Sequence, residues 1–311
     1  MRRNRQHGFT LVEMLVVIGI IGALAGLVLT AVLGAQATAN DTSCKNNLRE
    51  LGRAMALHET QKGEYPGFQK QIATKGGDVV IGWVPQLFRF MGRTQQYKAI
   101  QLNLGLDKWQ QPYTNYYCPA EKPDIGAELN ESGNSLLEFP GSYAMTCGQE
   151  DDSATTSSDT RRTAIGHNHL IDPAVKTNVD DIVDGLAETA LLTENIDLAN
   201  WTNLGEPMQG VIFTAGAVAV DDNPFLQPLA PPTDDLAPEF ARPSSYHTGG
   251  FNVAYADGHV DNFAVDDAEP EVSYRLFRAQ MTPNCYDDAA LDEWSCRNAA
   301  DLVSGGTSGG T

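Results

Sequence analysis

The sequence predicts an α+β fold in which a long N-terminal helix, transmembrane in its first half and amphipathic in its second, packs on an antiparallel β-rich head. Three observations predict it. Residues 9–34 are an apolar run broken by a single acid, residues 35–58 carry a helical period without proline, and from Tyr65 onward short β-prone runs alternate with turn residues.

The chain opens MRRNRQHG, with three arginines and no acid, which reads as a leader spanning residues 1–8. The run FTLVEMLVVIGIIGALAGLVLTAVLG follows as a membrane helix over residues 9–34. A helix rises 1.5 Å per residue, so about 20 apolar residues cross a hydrocarbon core and this run suffices. Basic flanks stay on the cytoplasmic side, which places everything after Gly34 outside the cytoplasm.

Glu13 breaks the run. A carboxylate in a membrane span costs several kcal/mol and therefore marks a role. If the leader is cut between Gly8 and Phe9, Glu13 becomes the fifth residue, one helical turn from the new amino group. In an array of such chains it would neutralise a neighbour's N-terminal ammonium and set an axial register. An ordinary secretory signal ending at Ala35-Gln36-Ala37 has too long a core here, and a plain signal anchor gives Glu13 no role.

Over residues 35–60 the positions Ala37, Cys44, Leu48, Leu51 and Met55 share one helical face, so the membrane helix is expected to continue as an amphipathic stem until Lys62-Gly63 stops it. The head is expected over 61–270, with β-like runs at Asp78–Phe90, Tyr113–Cys118, Leu186–Thr193 and Gly210–Val220. Asp257-Gly258 between Phe251–Tyr255 and Val260–Val265 signals a hairpin, because glycine accepts a positive φ. Residues 271–311 read as a polar tail in which Cys285 and Cys296 are a candidate disulfide; Cys118–Cys147 is a second candidate pair, which leaves Cys44 odd.

The formal charge of −19 argues against nucleic acid as a partner. Acidic doublets such as Asp151-Asp152, Asp180-Asp181, Asp221-Asp222, Asp234-Asp235 and Asp287-Asp288 offer oxygen ligands for a candidate Ca2+, the one cofactor the sequence suggests. No nucleophile with a base, H-E-x-x-H or phosphate-cradling loop is present, so an enzyme is not expected. His247, Asp257 and His259 admit a metal reading, but a turn-capping role for His247 and Asp257 explains them without chemistry; His167 and His169 are a similar pair in a polar loop.

The stretch Gly8-Phe9-Thr10-Leu11-Val12-Glu13 before an apolar helix resembles the cleavage and methylation signature of type IV prepilins and type II secretion pseudopilins. That resemblance implies a prepilin peptidase cutting after Gly8 and methylating Phe9, which deletes three arginines and takes the formal charge from −19 to −22. It also implies the inner membrane and other pilin-like subunits as partners, in a periplasmic or cell-surface filament. Farther along, Cys44-Lys45-Asn46-Asn47-Leu48, Tyr117-Cys118-Pro119, Ser142-Tyr143-Ala144, Asp184-Gly185 with Thr189–Glu194, and His247-x9-Asp257-Gly258 resemble, in order, a prepilin-type family of unknown function ending in a His-x9-Asp-Gly motif. Thr30 departs from that family's frequent proline, and the tail has no counterpart in it. A membrane-retained protein whose head binds a glycan or a protein is the rival to a filament subunit.

Overall fold

A computed structural model describes residues 11–104, 114–120, 127–129, 135–137, 141–148, 164–171, 173, 175–195, 198, 210–212, 243–266 and 270–284. Gly8, Phe9, Cys285, Cys296 and every acidic doublet above except Asp180-Asp181 lie outside these residues.

Helix α1 runs unbroken from Leu11 to Lys62, 52 residues or about 78 Å. It stops where Gly63 turns left-handed at φ 71° and returns its N–H to the Glu59 carbonyl, the usual way a glycine closes a helix. From Leu11 to Leu33 every large apolar side chain is exposed. Polar groups in the rod hide themselves: the hydroxyls of Thr30 and Thr38 donate to the carbonyls of Leu27 and Gly34. Among the described residues this is the one helix long and apolar enough to cross a membrane.

The second half of α1 is buried on the face of Cys44, Leu48, Leu51, Gly52, Ala54, Met55 and His58. Ala37, which spacing assigned to that face, is exposed, so the buried face begins at Cys44, about two turns later than expected.

The head centres on a five-stranded sheet of order β7-β5-β6-β8-β9. Its strands are β5 Tyr143–Gly148, β6 Ala190–Glu194, β7 Gly210–Ile212, β8 Gly250–Tyr255 and β9 Val260–Ala264; β5 and β7 are parallel and the other pairs antiparallel. Two hairpins stand apart from it, β1 Gln69–Thr74 with β2 Gly77–Gly82 and β3 Ala127–Leu129 with β4 Ser135–Leu137.

Both faces of the sheet are covered. Tyr143, Met145, Leu192 and Ala254 join the α1 face in one core, where each buried leucine or methionine contributes about 1.5–3 kcal/mol. Gly52 faces the sheet here, and a Cβ on it would make an ordinary contact of 3.6 Å with the Ala254 methyl. Ala144, Phe251, Val253 and Tyr255 point the other way, against Leu276, Phe277 and Met281. Those three belong to a helix at Pro270–Met281, so the segment expected to begin a tail at residue 271 instead closes the second core.

Two expected strands are helical in part. The apolar run from Asp78 changes at Gly82, and Trp83–Leu87 forms α2, fully buried, with Pro85 in the first turn where no donor is needed. Thr114–Tyr116 is a 3-10 turn. Helix α3, Thr94–Gln101, follows α2, which makes Pro270–Met281 α4. Of Gly210–Val220, the described part is strand only to Ile212. The β8–β9 turn forms where expected, but with a three-residue loop. Tyr255 N–H donates to the His259 carbonyl, Gly258 N–H to the Tyr255 carbonyl, and Gly258 takes φ 92°, the bulged form of hairpin connection.

Candidate functional site

Where α1 meets the sheet, four distant segments converge. Cys44, on the buried face of α1, is disulfide-bonded to Cys118 across 74 residues, with Cα atoms 4.8 Å apart. The candidate pair Cys118–Cys147 is not the one formed: Cys44, which that pairing left odd, takes Cys118, and Cys147 lies buried in β5 outside the disulfide. Local bonds seat the bridge. The Cys118 N–H donates to Ser142 Oγ at 2.9 Å, and Asn47 Nδ2 donates to the Tyr117 carbonyl at 3.1 Å. Tyr143 OH donates to the Cys44 carbonyl at 3.3 Å, tying β5 to the helix.

His247, in the loop before β8, reaches this bridge. Its Nε2 lies 3.3 Å from Cys118 Sγ and 3.2 Å from Glu194 Oε1, and its Nδ1 lies 3.7 Å from Asp41 Oδ1. Glu194, 1% exposed at the end of β6, accepts from the Asn252 N–H at 2.9 Å and from Asn252 Nδ2 at 3.1 Å. Burial alone would lower the His247 pKa; the Glu194 hydrogen bond and the charges of Glu194 and Asp41 outweigh it and hold the imidazole above its ordinary value. Asp41 is in turn held below the usual carboxylate value: burial opposes this, but bonds from Asn252 and Lys45 prevail.

Asp257 and Gly258 are not part of the cluster. They sit at the far end of β8, about 17 Å of strand from the His247 loop, where Asp257 Oδ1 accepts from the His259 N–H at 2.9 Å and also meets His259 Nδ1. His167 and His169 lie in a loop that is buried, against expectation, with the His169 ring packed on Gly67 and its pKa pushed down by burial to about 4. Asp181 is committed to a capping box with Asn178. Glu13 lies in the exposed first turn of α1. The sequence did not assign Asp41, Glu194 and Asn252 to a site, and it offered Cys118 only as a partner for Cys147. The signal lay in the resemblance, since Cys44, Cys118, Ser142, Tyr143, Glu194 and His247 all come from its quoted segments.

An exposed apolar rod feeding a β-sheet head, with the rod's inner half clamped into the head, defines the pilin and pseudopilin class. A model of the prokaryotic N-terminal methylation motif matches residues 3–29. The chain belongs to the family described as protein of unknown function DUF1559, whose model matches residues 35–271. It is 27% identical over 139 residues to the type II secretion system core protein G of Pseudomonas aeruginosa, covering 43% of this chain and 92% of that one. Against the core protein G of Aeromonas hydrophila it is 27% identical over 113 residues, 36% of this chain and 74% of that one. Similarity to the type IV major pilin protein PilA of Myxococcus xanthus is 34% over 68 residues, 22% of this chain and 31% of that one. No solved structure matches.

Proposed function

We propose that this protein is made as a membrane precursor, cut by a prepilin peptidase between Gly8 and Phe9, methylated at Phe9 and assembled through α1 into a type IV pilus or type II secretion-like filament. The observation that carries this reading is the fully exposed apolar surface from Leu11 to Leu33, which needs lipid first and neighbouring helices afterwards. Glu13 near its start supplies the charge that a neighbour's terminal ammonium would neutralise. The precursor sits in the inner membrane with its head outside the cytoplasm, and the head carries no catalytic role.

The rival reading, a surface binding protein that uses the same sorting route, is favoured by one fact: the core protein G alignment covers only 43% of this chain, so more than half of the chain is additional to that likeness. Mass spectrometry of the mature N-terminus, combined with shearing of cells, tests the proposal. Methylated Phe9 in sheared fibres is the expected result. A start after Ala37 or an uncut Met1 overturns it, and methylated Phe9 found only in membranes favours the binding protein.

A further inference from the structure

The disulfide has an unusual neighbourhood. Cys44, Cys118, Glu194 and His247 each bring one ligand atom to within 4.8 Å of the others. They come from α1, the turn after Tyr116, the end of β6 and the loop before β8, so the whole head is needed to assemble them. We propose that, once the Cys44–Cys118 disulfide is reduced, these four side chains form a closed site for one zinc ion or a similar borderline-soft divalent cation.

The donor set fits that chemistry. Two thiolates, an imidazole and a carboxylate make up a zinc ligand set, whereas calcium requires six or more oxygens. With Zn–S near 2.3 Å and Zn–N or Zn–O near 2.0–2.2 Å, tetrahedral ligands stand about 3.4–3.8 Å apart. The observed 3.3 Å from Cys118 Sγ to His247 Nε2 and 3.2 Å from that nitrogen to Glu194 Oε1 are already close to this. The sulfurs must part to roughly 3.8 Å, a shift within reach of one χ1 rotation.

The surroundings fit as well. Cys44 is 0% exposed, Cys118 4% and Glu194 1%, with His247 half-buried beside them, and four protein ligands leave no open position for water, which makes the site structural. A ligating histidine generally donates its second ring nitrogen to a carboxylate or carbonyl. His247 presents Nε2 to the site, while its Nδ1 faces Asp41 at 3.7 Å. Asn252 bonds both Glu194 oxygens and so orients the carboxylate.

The step balances with a dithiol as reductant. Its two electrons and two protons convert the protein disulfide to two cysteine thiols, and the dithiol leaves as its own disulfide. Zinc then binds the two sulfurs as thiolates and releases two protons to solvent.

Full-length protein in detergent micelles is the material for the test, reduced with a dithiol, desalted without oxygen and titrated with cobalt(II). One cobalt per chain is expected, with thiolate charge-transfer absorption and the intense red-region bands of tetrahedral cobalt, all removed by one equivalent of zinc. The oxidised protein should bind at least 100-fold more weakly. His247→Gln and Glu194→Gln, which keep both cysteines, should each weaken binding at least tenfold; a melting curve of the oxidised variants confirms that they fold. X-ray absorption of the zinc-loaded wild type needs no variant and should show two sulfurs near 2.3 Å and two nitrogen or oxygen neighbours near 2.0–2.2 Å. The proposal is overturned if reduction creates no sulfur-to-cobalt absorption, if folded variants bind as the wild type does, or if zinc has any other set of neighbours.

Discussion

Asn252 donates through Nδ2 to Asp41 Oδ1 at 3.0 Å, joining β8 to the helical stem across 211 residues of sequence. The same nitrogen serves Glu194 Oε1 at 3.1 Å, so one fully buried amide holds two carboxylates. Asn252→Asp replaces that donor with a third carboxylate. The expected loss is about 3 kcal/mol at neutral pH. It should shrink in mild acid, where one of the three acids takes up a proton. Urea unfolding at pH 7 and pH 5 measures both; equal losses at the two pH values would refute the charge explanation.

The Cys44–Cys118 bridge closes a segment with a sequence separation of 74. Cys44→Ser with Cys118→Ser is expected to lower stability by about 2–4 kcal/mol in metal-free buffer, chiefly by freeing the unfolded chain. Chemical denaturation of the wild type and the double variant reads this directly, and matching midpoints would show that the bridge adds nothing.

Two groups contribute opposite pH dependences to stability. Glu64, 4% exposed, pairs with Lys70 and, at 2.8 Å, with Lys176. Burial raises its pKa, but the two lysines outweigh that and bring it from 4.5 to about 2. Its contribution is therefore present above pH 4.5 and lost as pH falls toward 2. Because the lysines are 32% and 56% exposed, solvent screening reduces it to about 1 kcal/mol. His247 acts oppositely: its pKa is raised, so its contribution is full below pH 6.5 and fades as pH rises through the folded-state value. Melting temperature against pH should thus fall on the acid side less steeply in Lys176→Met, and on the alkaline side less steeply in His247→Gln.

Gly258 holds φ 92° at the β8–β9 turn. Gly258→Ala forces a side chain into that conformation and is expected to cost about 1–2 kcal/mol, with the sheet order unchanged. A thermal melt and a circular dichroism spectrum check the two halves of that statement.

For Glu13, Glu13→Val should leave membrane insertion intact, since it removes the one acid from the span, while filaments disappear from sheared fractions. Normal fibres from the variant would end the charge-pairing role.

The stem and the last hairpin could be read in the sequence because their signals are local: an apolar period ending at Lys62-Gly63, and Asp257-Gly258 between alternating strands. Trp83–Leu87 misled because a short apolar run looks alike as a buried strand and as a buried helix. Helix α4 was hidden among polar residues, although Val272, Leu276, Phe277 and Met281 are spaced to share one face. The cluster itself was beyond local reading. Cys44 meets Cys118 across 74 residues, and His247 meets Cys118 across 129. Only the folded sheet brings them together.

The bridge also decides how traction travels through the molecule. A pull along the rod reaches Cys44 before Leu48, Leu51 or Met55, and there it can cross to Cys118 through a covalent bond. While the sulfurs are joined, the helix cannot be drawn out of the head by sliding its greasy side chains past the sheet. Once they are parted with no metal between them, that grip rests on dispersion contacts and a handful of hydrogen bonds, so the tensile strength of the joint follows the state of two sulfur atoms.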